Sequence, residues 1–245
     1  MGSLYYSYNT VGSSTSSFSV TNEIFKDEPY ASFFDMNNIN LSYRKLFDYA
    51  SSFYPLAIPE LYSANWYANR ITALHKSVPT SPEITDDLAI IQEKLKNADA
   101  DITRMRPYPD ENPLIPGALM YKAFVTGKLS FVGLASTTAA ELAYKASLAA
   151  YETYQLPAGS DGLVRCYYAS FLAYPYGDKR LAEIKTLLKP LYTDPLYDQS
   201  TVARFLKNVK SRATLVKKDI QKLASLDAGF KAYLLSLGWK QTDFK

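Results

Sequence analysis

Residues 81–97, SPEITDDLAIIQEKLKN, carry the most complete helix signal in the chain. Ser81 is a favourable N-cap residue, Pro82 suits the first helical position, and Glu83 puts an acid into the first turn. Apolar residues then recur at intervals of three and four, so they share one helix face. These residues are Ile84, Leu88, Ile91 and Leu95. The stretch predicts an amphipathic helix that begins at Pro82 and ends near Asn97.

Helical periodicity recurs along most of the chain, and no stretch shows convincing alternation of a β-strand. The fold class is therefore predicted to be mainly α. Pro190 and Pro195 are expected to bracket a turn, and Asp227 is expected to cap a last short helix. Residues 200–226 predict one broken helix or two adjoining helices. The other predicted helices cover approximately 40–54, 59–74, 138–151, 164–171 and 179–189.

Four prolines between residues 107 and 118 interrupt this periodicity and predict a rigid linker between two helical lobes. The predicted organisation is an N-terminal arm (1–25), an N-terminal lobe (26–106), the linker (107–118), a C-terminal lobe (119–228) and a C-terminal helix with a tail (229–245).

The N-terminal arm is recognised by its composition. Ten of the first 22 residues are Ser or Thr, and no charge precedes Glu23, so the segment lacks the apolar surface to order itself. Its aromatic residues indicate that it orders against a neighbouring surface, namely another copy of the chain. The predicted oligomerisation residues of the arm are Tyr5, Tyr6, Tyr8 and Phe18.

The side-chain inventory argues against an enzyme. With one Cys and one His in 245 residues, the chain holds neither a disulfide framework nor a Cys/His zinc site. No glycine-rich phosphate loop or nucleophile elbow occurs, and no apolar run matches a membrane span or a signal peptide. We predict no catalytic residue, metal or cofactor. The candidate reactive groups have structural interpretations. His75 is interpreted as a partly buried or surface residue, Cys166 as a core packing residue, and Asp86-Asp87 and Asp99-Ala100-Asp101 as solvated helix faces.

Charge is distributed unevenly along the chain, although the net charge is only +3. Residues 1–120 contain 9 Lys/Arg and 14 Asp/Glu, a net charge of −5, whereas residues 121–245 contain 18 and 10, a net charge of +8. This asymmetry predicts a polyanion-binding surface on the second half. Solvated helix faces, or contact between the acidic half of one subunit and the basic half of the next, are the alternatives.

Cations in the second half recur one helical turn apart, a spacing that can follow successive phosphates. Aromatic residues in the same half can stack on unpaired bases, with ordinary core packing as the competing interpretation of each. The predicted RNA-binding residues are Lys179, Arg180, Lys185, Arg204, Lys207, Lys210, Arg212, Lys217, Lys218, Tyr167 and Tyr168.

Three short stretches resemble the nucleocapsid proteins of segmented negative-strand RNA viruses, of the peribunyavirus and tospovirus kind. They occur in the order found in that family and cover about a tenth of the chain. The Phe-Pro-Gly-Asn-Arg-type loop of peribunyavirus nucleoproteins has no counterpart. The three stretches are Tyr30-Ala31-Ser32-Phe33 with Leu41-Ser42-Tyr43, Asn112-Pro113-Leu114-Ile115, and Ser236-Leu237-Gly238-Trp239-Lys240.

The resemblance implies two lobes that clamp single-stranded RNA in a basic groove, without sequence preference, and arms that link protomers into a ring or filament. It implies a ribonucleoprotein of the virion and the host cell cytoplasm. Exchange between subunits is expected to rest on residues 1–25, with Trp239 as a further oligomer contact. The alternative is a self-assembling structural capsid or filament protein in which RNA contact is incidental or absent. An all-helical enzyme or small-molecule binder is third and requires a pocket with convergent polar groups.

Overall fold

The computed structural model describes residues 57–198, 200–210 and 215–244, and every regular element in these ranges is an α-helix or a 3₁₀ turn. The prediction of a mainly α fold is confirmed for this part of the chain. The helix predicted at 40–54, the arm with Tyr5, Tyr6, Tyr8 and Phe18, and the predicted RNA contact Arg212 lie outside the described residues. None of the described helices is both long enough and apolar enough to cross a membrane.

The chain divides into two compact units, Met1–Ser136 and Thr137–Lys245. In the first unit, α1 contacts both α2 and α3. Ala64 and Ala68 lie one turn apart on the buried face of α1, and their small side chains permit close packing. The described elements of this unit are α1 (Ala57–Ser77), α2 (Pro82–Met105), a 3₁₀ turn (Asn112–Leu114) and α3 (Ile115–Phe131).

The decisive stretch of the sequence forms the first part of α2. The helix begins at Pro82 as predicted, although the Ser81 side chain makes no capping hydrogen bond. The predicted end at Asn97 is wrong, because the buried face continues through Ile102 to Met105. The helix predicted from periodicity is too short because the last two turns of α2 carry several polar residues.

Residues 107–118 differ from the predicted linker. Asn112–Leu114 is a 3₁₀ turn, and Ile115 and Pro116 are buried in the first turn of α3. A proline fits there because the first N–H groups of a helix have no partner within the helix. The chain separates into its compact units after Ser136 and not at this Pro-rich stretch.

The second unit is built around one central helix, α5, which contacts α4, α6, α7 and α8, while α9 packs on α6 and α8. Short 3₁₀ turns at Gly177–Arg180, Pro195–Tyr197 and Gln241–Phe244 complete the unit. Its α-helices are α4 (Thr137–Thr153), α5 (Gly162–Ala173), α6 (Leu181–Thr193), α7 (Thr201–Val209), α8 (Leu215–Leu226) and α9 (Ala228–Ser236).

Two predictions for this unit are confirmed and one is wrong. Residues 200–226 contain two adjoining helices, α7 and α8. Asp227 caps α9, where its Oδ1 accepts hydrogen bonds from Gly229 N at 2.8 Å and Phe230 N at 3.1 Å. Pro190 does not begin a turn but lies inside α6, because the buried stripe of that helix continues to Leu191.

Two glycines allow close contacts between helices of this unit. A Cβ atom at Gly162 would lie 2.5 Å from Val202 Cγ1, where the start of α5 meets α7. A Cβ atom at Gly229 would lie 2.7 Å from Tyr192 Cζ, where α9 meets α6. Any larger side chain at these positions displaces a neighbouring helix.

Candidate nucleic-acid interface

Three helices of the second unit each bury one face and expose two cations one turn apart. The buried faces include Leu188 on α6, Leu206 on α7 and Leu223 on α8. A spacing of three or four residues places both cations of each helix on the opposite, solvent-exposed side. We call these six residues the paired cations: Lys185 and Lys189 on α6, Arg204 and Lys207 on α7, and Lys218 and Lys222 on α8.

The paired cations make no ion pair within the described part of the chain. Between residues 178 and 226, Asp178 and Asp198 are the exposed acids among the described residues. The other acids of this stretch are occupied or partly buried: Asp194 accepts a hydrogen bond from Leu196 N at 3.0 Å, and burial raises the pKa of Asp219 to about 6. The positive field of the three helices is therefore largely uncompensated.

Five residues of the predicted site are exposed cations: Lys179, Lys185, Arg204, Lys207 and Lys218. The predicted set omitted Lys189 and Lys222. The signal for both is their position four residues after Lys185 and Lys218, on the same helix faces.

Arg180 links α4 to α6 through two carboxylates. Its Nη1 donates to both carboxylate oxygens of Glu141 on α4, at 3.0 and 2.9 Å, and its Nε donates to Glu183 at 2.7 Å. The guanidinium also lies 5.1 Å from the ring centroid of Tyr176, whose hydroxyl donates to Glu141. A phosphate would have to displace two carboxylates to reach this side chain, so Arg180 is a structural residue.

Lys210 and Lys217, which were also predicted to bind RNA, contact the C-terminal residues of the chain. Lys210 Nζ donates to Gly238 O at 3.3 Å, and Lys217 Nζ lies 3.2 Å from Asp243 Oδ1. The hydrogen bond from the Lys240 backbone N–H and that from Lys217 hold the pKa of Asp243 below its usual range.

Tyr168 is a core residue and not a stacking platform for bases. Its side chain is 2% exposed, its ring stacks on Tyr144 with 5.2 Å between centroids, and its hydroxyl donates to Glu183 at 3.0 Å. Tyr167 is half-buried against Phe205, with 5.7 Å between ring centroids. Helical spacing identified the aromatic segment but not the helices that cover it.

Trp239 is also a core residue, which contradicts its prediction as an oligomer contact. It is 3% exposed, and its Nε1 donates to Leu206 O at 3.0 Å. Its ring stacks on Phe244 with 5.6 Å between centroids. The residue ties the chain terminus to α7.

The two acidic pairs interpreted as solvated faces are partly buried. Asp101 Oδ2 accepts a hydrogen bond from Ala57 N at 2.7 Å and so caps α1, while its Oδ1 accepts from Arg104 Nε at 2.8 Å. Asp87 is buried beside Arg70, with 3.5 Å between Arg70 Nε and Asp87 Oδ2. These carboxylates serve the fold of the first unit.

The remaining chemistry of the described residues is also structural. Cys166 is buried, and burial raises the pKa of its thiol to about 12, so it is not an activated nucleophile. His75 is half-buried in the last turn of α1. Among the described residues, no group of three His, Cys, Asp or Glu side chains is arranged to hold a metal ion.

A cleft of about 250 Å³ lies at the end of α4 and is lined by Tyr151, Glu152 and Asp161, among others. Asp161 is already occupied, because it accepts hydrogen bonds from Tyr197 at 2.6 Å and from Arg165 at 2.7 Å. Asp194, which also lines the cleft, accepts a hydrogen bond from Leu196 N at 3.0 Å.

No protein-family model, curated protein or solved structure matches this chain. The functional argument therefore rests on the paired cations.

Proposed function

We propose that the protein is a nucleoprotein that sheathes single-stranded RNA without sequence preference and assembles with itself. The paired cations support this proposal, because exposed cations at helical spacing, without acidic partners, neutralise phosphates and release counterions. Binding of this kind reads the backbone and not the bases.

In this proposal the paired cations of the second unit bind the RNA backbone, and residues 1–25 link protomers into a ring or filament. The resemblance of three sequence stretches to bunyavirus-type nucleocapsid proteins supports a place in a viral ribonucleoprotein, in the virion and in the host cell cytoplasm. The proposal requires no catalytic residue and no cofactor.

The direct test is whether the protein carries RNA. We expect protein purified without denaturant to have an A260/A280 ratio above that of protein alone and to yield fragments of uniform length after nuclease digestion. After removal of that RNA, a fluorescein-labelled 25-nucleotide oligo(U) should bind, and its log K should fall linearly with log salt, by about 0.7 for each phosphate neutralised. A protein-only ratio together with no binding of oligo(U) would overturn the proposal.

A second candidate function is self-assembly into a structural capsid or filament without an RNA role. The observation in its favour is that large apolar side chains of the second unit are open to solvent, with Leu142 62% and Leu196 59% exposed. Negative-stain images of nuclease-treated protein discriminate between the two. Filaments that persist favour the structural protein, and filaments that collapse favour the nucleoprotein.

A further inference from the structure

Residues 238–244, which we call the tail, fold back onto helices α7 and α8. Trp239 is buried and donates its indole N–H to Leu206 O at the end of α7, and its ring stacks on Phe244. The side-chain amide of Gln221 on α8 donates to the Asp243 carbonyl. The tail is therefore held by hydrogen bonds and aromatic contacts to both helices.

The tail also contacts two lysines, Lys210 and Lys217, that lie close in sequence to members of the paired cations. Lys217 Nζ lies 3.2 Å from Asp243 Oδ1 and 5.8 Å from the centroid of the Trp239 ring. Lys210 Nζ donates to the Gly238 carbonyl at 3.3 Å. In sequence, Lys217 precedes Lys218, and Lys210 follows Lys207 by three residues. The tail thus engages two ammonium groups next to the proposed RNA-binding residues.

The ion pair between the tail and α8 is exchangeable. The Lys217 and Asp243 side chains are 23% and 25% exposed, and Asp243 is the one carboxylate paired with Lys217 among the described residues, whereas Arg180 is held by two. Lys217 also donates to Lys210 O at 3.0 Å, a bond that the tail does not supply. An RNA phosphate offers Lys217 the same kind of charge-assisted hydrogen bond and adds counterion release, which the carboxylate does not supply. At Lys217 itself, the exchange of carboxylate for phosphate is therefore favourable once RNA is held by neighbouring cations. Release of buried Trp239 from α7 opposes displacement of the tail and limits the gain in affinity.

We propose that the tail competes with RNA: the Asp243 carboxylate occupies a phosphate-binding position on Lys217, and bound RNA displaces the tail and gains Lys217 and Lys210 as contacts. This inference rests on the proposed RNA-binding function. It assigns the C-terminal residues the role of an internal competitor that lowers affinity for short or weakly bound RNA.

The first measurement compares Asp243→Asn with Asp178→Asn by fluorescence anisotropy of fluorescein-labelled 25-nucleotide oligo(U). Both variants remove one negative charge from the second unit, but Asp178 is exposed and makes no ion pair among the described residues. We expect Asp243→Asn to bind roughly three- to fivefold tighter, Asp178→Asn to change by less than about twofold, and Asp243→Glu to resemble the wild type. Equal gains in both Asn variants would overturn the inference, because they would reflect net charge alone.

The second measurement follows the tail itself. The chain has two Trp residues, so Trp66→Phe leaves Trp239 as the single indole reporter. On saturation with unlabelled oligo(U), Trp239 emission should shift to longer wavelength and its quenching by acrylamide should increase. Unchanged emission and quenching at saturation would overturn the inference and leave the RNA-binding proposal intact, whereas absence of any oligo(U) binding would overturn both. Far-UV circular dichroism establishes that each variant is folded.

Discussion

The two compact units differ in the balance of exposed charge, although both contain structural ion pairs. In the first unit, Lys94 binds buried Glu60, and Arg104 binds both Asp101 and Glu111. In the described part of the second unit, nine exposed Lys/Arg stand against three exposed acids. In the described part of the first unit, three exposed Lys/Arg stand against five exposed acids, so the positive surface lies on the second unit. Net charge therefore does not identify a binding surface until the ion pairs are known.

This difference also separates folding from binding. Removing one partner of a buried ion pair lowers the free energy of unfolding strongly, because the remaining charge stays in a poorly solvated position. An exposed cation without an acidic partner is removed at little expense to stability. Substitutions in the buried ion pairs of the first unit should therefore change stability, and substitutions of the paired cations should change the proposed RNA binding.

The strongest test of the comparison is charge reversal in each unit. Lys185→Glu, Arg204→Glu and Lys218→Glu together should weaken oligo(U) binding about a thousandfold at physiological salt, which corresponds to about 4 kcal/mol. The loss is expected because, under the proposed function, three phosphate contacts become repulsive. Fluorescence anisotropy measures it.

The matched control reverses three exposed cations of the first unit that make no ion pair among the described residues. Lys76→Glu, Lys96→Glu and Arg106→Glu change the net charge equally but should alter binding far less. Equal losses in the two triple variants would remove the distinction between the units.

A buried ion pair of the first unit is the next test. Glu60→Ala should lower the free energy of unfolding by about 3 kcal/mol, because Lys94 and Asn97 lose their carboxylate partner inside the fold. Urea denaturation followed by circular dichroism gives the value. Glu93→Ala removes an exposed carboxylate of α2 and should change stability by less than about 0.5 kcal/mol. Similar changes in the free energy of unfolding for both variants would show that burial does not determine how much these carboxylates stabilise the protein.

Two glycine substitutions compare packing in the two units. Gly162→Ala should destabilise the protein by about 2 kcal/mol, because the new Cβ atom meets Val202. Gly117→Ala in α3 has no atom within 4 Å of its Cβ atom and should stabilise by about 0.5–1 kcal/mol through helix propensity. Thermal denaturation distinguishes a fall from a rise in Tm. A rise for Gly162→Ala would contradict the close contact between α5 and α7.

Asp219 gives the second unit a pH dependence. Burial raises the pKa of this carboxyl to about 6, and the unfolded chain has the ordinary value of about 3.9. Between these values the folded state binds the proton and the unfolded state does not, so this group's contribution to stability falls as pH rises from about 4 to about 6. Asp219→Asn should therefore gain Tm relative to the wild type over that interval. A constant difference in Tm between pH 4 and 7 would contradict the assignment.

Lys128 gives the first unit a pH dependence of the opposite direction. Burial lowers the pKa of its ammonium to about 7, although Asn65 Oδ1 and Asn69 Oδ1 each accept a hydrogen bond from it at 2.6 Å. Above pH 7 the unfolded state holds a proton that the folded state has released, so stability from this group rises with pH. The Tm of the wild type relative to Lys128→Met should increase between pH 7 and 9. A decrease over that interval would reverse the sign and exclude the mechanism.

Local signals predicted the helices well where the information lies within a few residues. Pro82 marks the start of α2 and Asp227 caps α9, because both act on the nearest turn of backbone. The ends of helices were less predictable. α6 continues past Pro190 because buried Leu191 packs in the core, and that contact is not visible in local sequence.

The candidate site was predictable only in part, for the same reason. Helical spacing identified the cations of α6, α7 and α8, but it gave Arg180 and Lys185 equal standing. The two residues differ because Arg180 is paired with Glu141, which lies 39 residues away in sequence. Tyr168 and Trp239 were assigned to surfaces because an aromatic residue looks the same in sequence whether or not another helix covers it.

The sequence by itself determined the helical class, most helix starts and the positive second half, because capping, periodicity and composition act over short distances. Tertiary structure alone decided which charges are neutralised and which aromatic rings are buried. Those outcomes depend on residues brought together from distant parts of the chain, such as Asp243 on Lys217 and Glu141 on Arg180. The paired cations are what remains exposed after that folding is complete.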